Sequence, residues 1–566
     1  MWMNMWGNRK SAFKKRSRPP PPPKGLVWPV TNRKTGDRST AKTNQAIWVK
    51  AVEAADADAA KAAKKEKGWR FGYVPHVEAN VRVSLKSPDA ALAVADAGLT
   101  AAHDLFEFVR DDKTVKFSDA MKTFKGSFKT GFMEGESKGK DKGPRSVKVP
   151  YAGTVGKPYY AGKKKLMNGA APLEGDVLKE QLDTWVNYGV IEPDCREAIT
   201  ACIDHPEWLD LSNHYFILLG ATSAMGPLPL LLSLGANIIA IDIDIPPVWE
   251  KLFKMVRESS GTLTYPIKGK PSKNLDDMTD GELAKISGAN LLEDVPEIAN
   301  WLCEVCPEDK ITIGNYTYLD GEKHVRLALA CDAVISKLAA KRDNLAIAFL
   351  CTPTDCHPIP KDAYDAAIAN KKGAPFWQAL WPICESNVLK PVTPAKGDAI
   401  YLVDGIVGRQ GPNYILAKRL QHWRAIKERA VGHVISSNIA PSTATLSVVS
   451  NGLFAAGYGG MHLFKPFEVM YQQTSNAVMG ALLIHDISNK KAWAFPQYKL
   501  ANPLQLFEHG SFHGGVWRSG FKIASIGEIS AMIYWMAIYG PQIGAALATV
   551  SGVTIWVLTG WTGLDM

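Results

Sequence analysis

Two side chains four residues apart, in Tyr414-Ile-Leu-Ala-Lys418, could do proton-transfer chemistry. Residues i and i+4 share one helix face, and Tyr414 to Ala430 reads as a helix. A phenol with an ordinary pKa of about 10 is a poor acid–base group at neutral pH. A neighbouring ammonium favours the phenolate and brings that pKa toward the operating range. Tyr414 could then pass a proton to or from a substrate oxygen. An ordinary helical Tyr and Lys is the competing reading, because the spacing alone is common. Tyr159/Lys163 and Tyr160/Lys164 share it, in a basic loop with no dinucleotide context.

Such a pair needs a cofactor platform, and one stretch could supply it. An apolar run from Tyr215 ends in a small-residue turn, Gly220-Ala-Thr-Ser-Ala-Met-Gly226. A short apolar helix follows from Gly226 to Leu234, Gly235 stops it, and a second apolar run ends at Asp242. Strand, turn, helix, strand is the first half of a dinucleotide-binding fold. In that reading Gly220 and Gly226 let the backbone approach a pyrophosphate, and Thr222, Ser223, Ala224 and Met225 complete the turn around it. Pro227 and Pro229 fit the first helical turn, where missing donors cost little. Asp242, about 20 residues on, could accept from ribose hydroxyls. With no Arg or Lys in the turn, Asp242 favours NAD, with NADP as the alternative, because a carboxylate repels a 2′-phosphate. Asp244 could hold the same place. A buried strand–helix–strand unit without a ligand is the other reading.

Strands and helices alternate beyond this point. The stretch 245–310 reads as a helix-rich insertion, with Val248–Arg257 and Val295–Val305 helical. Ile311–Leu319, Leu345–Leu350, Asp398–Val403 and His433–Ile439 read as strands, and His324–Arg342 and Asp362–Cys384 as helical. That alternation predicts an α/β fold, a Rossmann-like doubly wound parallel sheet covered on both faces.

The order of these motifs resembles the short-chain dehydrogenase/reductase family over roughly residues 213–490. The turn is similar to the family's GxxxGxG, with Ala224 for the middle glycine, and Tyr414/Lys418 match its YxxxK. Val434-Ile-Ser-Ser-Asn-Ile-Ala-Pro441, then Thr443 and Thr445, looks like its strand-end proline segment beside the nicotinamide. Asn370 falls where the family places a helix asparagine that supports a proton relay. The resemblance implies that Lys418 also holds the nicotinamide ribose, with Pro441, Thr443 and Thr352 beside the cofactor. Two departures stand out. Asp404 or Gly405 falls where the family has its substrate-orienting serine, a dozen residues before the tyrosine, and a carboxylate there repels an oxyanion unless protonated. Cys351-Thr-Pro-Thr-Asp355 replaces the family's Asn-Asn-Ala-Gly.

The chain divides into a basic, Pro-rich, disordered arm (1–36), a mostly helical extension (37–210), the nucleotide domain (211–490) and an apolar helical tail (491–566). In the extension Asn44–Lys67 reads as one helix, Val81–Leu85 as a strand, and Ser87-Pro88 as the start of a helix to Arg110. Net charge is +10, and residues 1–36 hold nine Lys/Arg and no acid. That arm could be a transit segment or touch anionic lipid or a partner. No nucleic-acid-reading motif accompanies it. Eight cysteines make no disulfide framework in 566 residues, so a reducing compartment is expected. Cys303-Glu-Val-Cys306 has metal-like spacing without a second pair, so no metal is expected.

After Leu446 the apolar helix pattern continues through Ala477–Ile484, which the resemblance implies is the place of a substrate lid. Ile523 to Trp561 carries one charged group, Glu528. Its part 543–561 is about long enough to span a bilayer, and Arg518 and Lys522 before it place the large domain on the cytosolic, stromal or matrix side. A buried or oligomer-forming helical hairpin is the alternative, and a mean hydropathy of −0.10 over the chain argues against a polytopic protein. Two functions lead, with a lipid- or partner-binding scaffold that holds no nucleotide as a third. One is a membrane-associated NAD(P)-dependent oxidoreductase acting on a carbonyl or alcohol of an apolar small molecule. The other is a non-catalytic structural or assembly subunit of a membrane complex, or a homo-oligomer, that keeps a bound dinucleotide.

Overall fold

The computed structural model describes residues 23–138, 145–157, 171–307, 310–379 and 384–551, with side chains up to 540. Its centre is a seven-stranded sheet. The strands are β1 (Lys129–Glu134), β2 (Tyr215–Leu219), β3 (Asn237–Ile241), β4 (Thr262–Ile267), β5 (Ile311–Asn315), β6 (Leu345–Phe349) and β7 (Val434–Ser436). Runs such as Ile-Thr-Ile-Gly-Asn and Leu-Ala-Ile-Ala-Phe are buried at every residue because helices cover both faces of a parallel strand. The spatial order is β7-β6-β5-β2-β3-β4-β1. β2 to β7 are parallel, and β1 closes the edge antiparallel, with Lys129 opposite Ile267 and Glu134 opposite Thr262. Counted from β2, the parallel strands stand as 3-2-1-4-5-6. Direction of progress reverses between β2 and β5, so the loops after those two strands part and leave a crevice at the carboxyl edge.

The helices used below are α1 (Pro88–Leu105), α2 (Phe117–Thr123), α3 (Leu228–Ser233), α4 (Pro246–Arg257), α5 (Val295–Val305), α6 (Glu322–Ala339), α7 (Pro412–Ala430), α8 (Gln472–Ser488) and α9 (Ile523–Ser551). Ser87 caps α1 as its sequence suggests, accepting from the Ala90 amide at 3.1 Å. α7 is buried on almost every side, so Arg419, His422, Arg424 and Glu428 must find partners inside the protein.

Several expectations are corrected. Residues 245–310 are not an insertion, since they supply β4, the third parallel strand. Its Thr-Leu-Thr-Tyr-Pro-Ile run lacks a continuous apolar signature, and Pro266 breaks the strand pattern. The segment expected as a further parallel strand at Asp398–Val403 is Ile400–Asp404, the middle of a separate antiparallel sheet with Cys356–Ile359 and Val388–Val392. Periodicity predicts a strand but not its sheet. Val81–Leu85 lies mostly in a helix, Val74–Ser84, whose buried Val77, Asn80, Val81 and Ser84 follow helical spacing. Asn44–Lys67 breaks into Thr40–Glu53 and Ala57–Lys65 because Asp56 caps the second helix, accepting from the Ala59 amide at 2.9 Å. Order begins inside the supposed arm, where Gly25–Val27 pairs with Glu107–Arg110 and Leu26 is fully buried. Residues 1–22 and the pairs Tyr159/Lys163 and Tyr160/Lys164 lie outside the described residues.

The expected lid segment lies in α8, where Val478 to Asp486 are buried in the core while Asn476 reaches the Gly220 turn. α9 has one apolar window, Ile523–Gly540, of mean hydropathy 1.2. Its start packs on Gly452–Gly460, where a Cβ on Gly460 would sit 2.1 Å from the Ser530 carbonyl oxygen. Its middle carries Trp535, Met536, Ile538 and Tyr539 exposed. This helix is long and apolar enough for a membrane anchor, as a soluble core helix can also be. The expected span 543–561 lies outside the described side chains. Arg518 and Lys522 are not a free positive flank. Arg518 pairs with Glu192 and Asp362 at 2.6 Å each, and Lys522 with Asp404 at 2.9 Å and Glu385 at 3.1 Å.

Candidate functional site

The turn after β2 is held by its own amides. Gly220 has φ +71°, and a Cβ there would lie 3.0 Å from Thr317 Cγ2, so both conformation and space ask for glycine. The Gly220 and Ala221 amides donate to the Ile241 carbonyl at 2.9 and 3.2 Å, and those of Ser223 and Gly226 bond within the turn at 3.0 Å each. Asp242 Oδ2 accepts from both the Thr222 amide and hydroxyl at 2.8 Å, while Oδ1 accepts from the Ile243 amide at 2.8 Å. Within the described residues only the Ala224 and Met225 amides of the turn are left over. α3 is six residues long, so its dipole adds little for an anion.

Tyr414 and Lys418 stand at the same edge, in the first turns of α7. Lys418 Nζ donates to the Leu350 carbonyl at 3.1 Å, just past the end of β6. The hydroxyls of Thr352 and Thr354, 2.8 Å apart, face the Tyr414 phenol. Burial pushes the phenol pKa above its ordinary value, with Asp355 and Cys351 adding to the rise, while the two threonines pull it down. Burial likewise holds the Lys418 ammonium below its usual range. Lys418 is not among the leading influences on the phenol. At neutral pH Tyr414 is therefore a protonated donor rather than a phenolate.

His324, at the start of α6, is a neighbour that sequence reasoning missed. Its ring stacks on Tyr414 with centroids 5.8 Å apart and lies 4.9 Å from Tyr318. It is buried, neither ring nitrogen has a partner, and burial beside Lys418 lowers its pKa to about 3. A lone histidine on a helical apolar face gives no signal in sequence.

The chain matches no protein-family model, no curated protein and no solved structure.

The remaining expected residues divide. Thr352 belongs to the Tyr414 group. Thr443 donates to the Pro441 carbonyl at 2.9 Å and bonds Ser475 of α8 at 2.8 Å, so this strand-end segment is tied to α8. Asn370 is elsewhere, exposed on the helix Lys361–Lys372, its amide bonded to the Arg518 carbonyl at 2.7 Å. Asp404 is also elsewhere, accepting from the Ile406 amide at 2.9 Å and paired with Lys522 at 2.9 Å, so both oxygens are occupied. Hydroxyls do stand beside the tyrosine, but they come from the end of the fifth parallel strand. Counting strands rather than residues back from Tyr414 would have found Thr352 and Thr354.

Between the turn and α8 runs a crevice lined by Met225, Tyr316, Leu350, Asn438, Asn476 and Met479. Its free volume is about 10 Å³, room for about one water. α8 closes it, because Asn476 Nδ2 donates to the Ala224 carbonyl at 2.8 Å, and a Cβ on Gly480 would lie 2.4 Å from Leu230.

Proposed function

We propose that the carboxyl edge of the sheet takes a nicotinamide dinucleotide and that the chain is an oxidoreductase of short-chain dehydrogenase/reductase type, favouring NAD. One observation carries this reading: a phenol, an ammonium and two hydroxyls meet at the strand edge that also bears the Gly220 turn. The 3-2-1-4-5-6 order supports it, being the order of the Rossmann fold, with the crevice at its switch point. The Asp242 carboxylate at the end of β3 fits a ribose. The free volume does not fit a cofactor while α8 is seated, so binding requires Asn476 to leave Ala224.

When bound, the nicotinamide supplies the hydride chemistry. This chain's residues then do the rest: Thr352 and Thr354 orient a substrate carbonyl, and the protonated Tyr414 gives its proton to the oxygen. A phenol with a raised pKa suits reduction rather than oxidation. The exposed aromatic middle of α9 supports attachment to a membrane, and with it an apolar substrate.

The test is NADH and NADPH turnover against a panel of apolar carbonyls. Tyr414→Phe is expected to cut the rate about 100-fold or more with cofactor affinity unchanged. A second reading, a non-catalytic subunit that holds the dinucleotide for assembly, is favoured by Asp404, at the expected serine position, lying away from Tyr414 and paired with Lys522. It predicts tight binding with no rate in either protein. Absence of dinucleotide binding rejects both.

A further inference from the structure

At the amino edge of the sheet, opposite the Gly220 turn, lies an open crevice of about 880 Å³. That is the size of a small-molecule site. The C-terminal ends of α1, α6 and α7 and the length of α2 form its walls. Its floor is a buried polar chain. His103 Nε2 lies 2.7 Å from Asp332 Oδ2, and Arg424 grips Asp332 through Nε at 2.7 Å and Nη2 at 2.9 Å. Arg424 Nη1 then reaches Glu428 Oε1 at 2.7 Å, and Glu428 Oε2 lies 3.7 Å from His433 Nε2. The chain ends on an open group: His433 is 5% exposed, lines the crevice, and its Nδ1 has no partner.

Above this floor stand Lys122, Lys125 and Lys337, which form no ion pair among the described residues. Lys125 donates to the Lys122 carbonyl at 3.1 Å and Lys337 to the Asn300 side chain. Helix ends explain part of this, since Lys122 and Lys337 lie in last turns and a C-terminus attracts a cation by about 0.3–1 kcal/mol. They do not explain the crowding. Burial holds the Lys337 pKa below its ordinary value, and the charges of Lys341 and Lys125 push the same way. Three cations outside any ion pair, against one such carboxylate on the lining, Asp104, leave a net field for an anion around one concavity. The rest of the lining is mixed: Leu99, Met121 and Val431 with alanines make an apolar strip, beside Thr100, Asp104, Ser118, Ser336 and Lys427, the last paired with Asp96.

We propose that this crevice binds an amphipathic organic anion, with a carboxylate or phosphate head on Lys122, Lys125 and Lys337. An apolar body lies along Leu99, Met121 and Val431, and His433 Nδ1 meets a polar atom of the ligand. The site is separate from the carboxyl edge and stands whether or not a dinucleotide binds there.

Calorimetry on the full chain with dodecanoate, dodecyl phosphate and dodecanol, each below its micelle concentration, tests this. Both anions, or one of them, are expected to bind at one site at least tenfold more tightly than the alcohol, and the better head group names the ligand class. The double variant Lys122→Glu/Lys125→Glu changes exposed residues only, so its melting temperature should hold while anion affinity falls at least tenfold. His433→Phe should weaken the anions without making the alcohol bind better. Equal binding of alcohol and anions, no binding at all, or wild-type affinity in the double variant overturns the proposal.

Discussion

The two edges of the central sheet are finished in opposite ways. At the carboxyl edge nearly every amide of the Gly220 turn bonds inside the protein, and α8 leaves about 10 Å³. At the amino edge about 880 Å³ stays open and three lysines have no counterion among the described residues. Parallel topology puts helix N-termini at the first edge and C-termini at the second, so simple dipole reasoning assigns anions to the first. In this chain the amino edge also carries three lysines outside any ion pair among the described residues, so dipoles do not settle the matter. Fold alone therefore does not locate its ligands, and each edge has to be read from its own residues.

The sharpest way to break the comparison is to disturb the amino-edge floor. Asp332 is buried and compensated, and Arg424 and His103 hold its carboxyl well below the usual range. Asp332→Ala leaves Arg424 inside the protein with Glu428 as its one remaining carboxylate. The expected loss is about 3–5 kcal/mol in urea unfolding, whereas a loss under about 1 kcal/mol would mean water already reaches the guanidinium.

Glu468, in the segment leading into α8, is the opposite kind of buried acid. One oxygen accepts from the Gly156 amide at 2.7 Å and the other has no partner. Burial raises its pKa from 4.5 to about 7. The folded protein therefore holds a proton that the unfolded chain releases. Stability from this group is fully present below the unfolded value and falls as pH rises through about 7. Glu468→Gln mimics the protonated form. It should gain roughly 3 kcal/mol on wild type between pH 5 and pH 8, measured as the difference in unfolding free energy at the two values.

Sequence made one edge legible and left the other dark, for physical reasons. The Gly220 turn, the acid at Asp242 and the i, i+4 pair at Tyr414 are local patterns, and local patterns survive in one dimension. Strand count was the weak point. β4 was hidden by threonines and Pro266, and Ile400–Asp404 looked like a sheet strand although it pairs elsewhere, so the serine position was sought at Asp404 instead of at Thr352 and Thr354. The amino-edge crevice could not be read at all. His103, Lys125, Lys337 and His433 come from four separated segments, and each alone looks like an ordinary solvated or core residue.

The smallest expected effect decides whether the closed edge can open. Asn476 is the hydrogen bond between α8 and the turn, and its Oδ1 has no other partner. Asn476→Ala should cost about 1 kcal/mol of stability, the ordinary value of one such bond. If a dinucleotide binds only after α8 leaves the turn, the same 1 kcal/mol no longer opposes binding, and NADH affinity should rise about fivefold. Stability and affinity then move in opposite directions by matched amounts, which no simple loosening of the fold produces. A loss of stability with NADH affinity unchanged would show that α8 does not gate the turn, and the narrow crevice would then count against a cofactor rather than for a closed state.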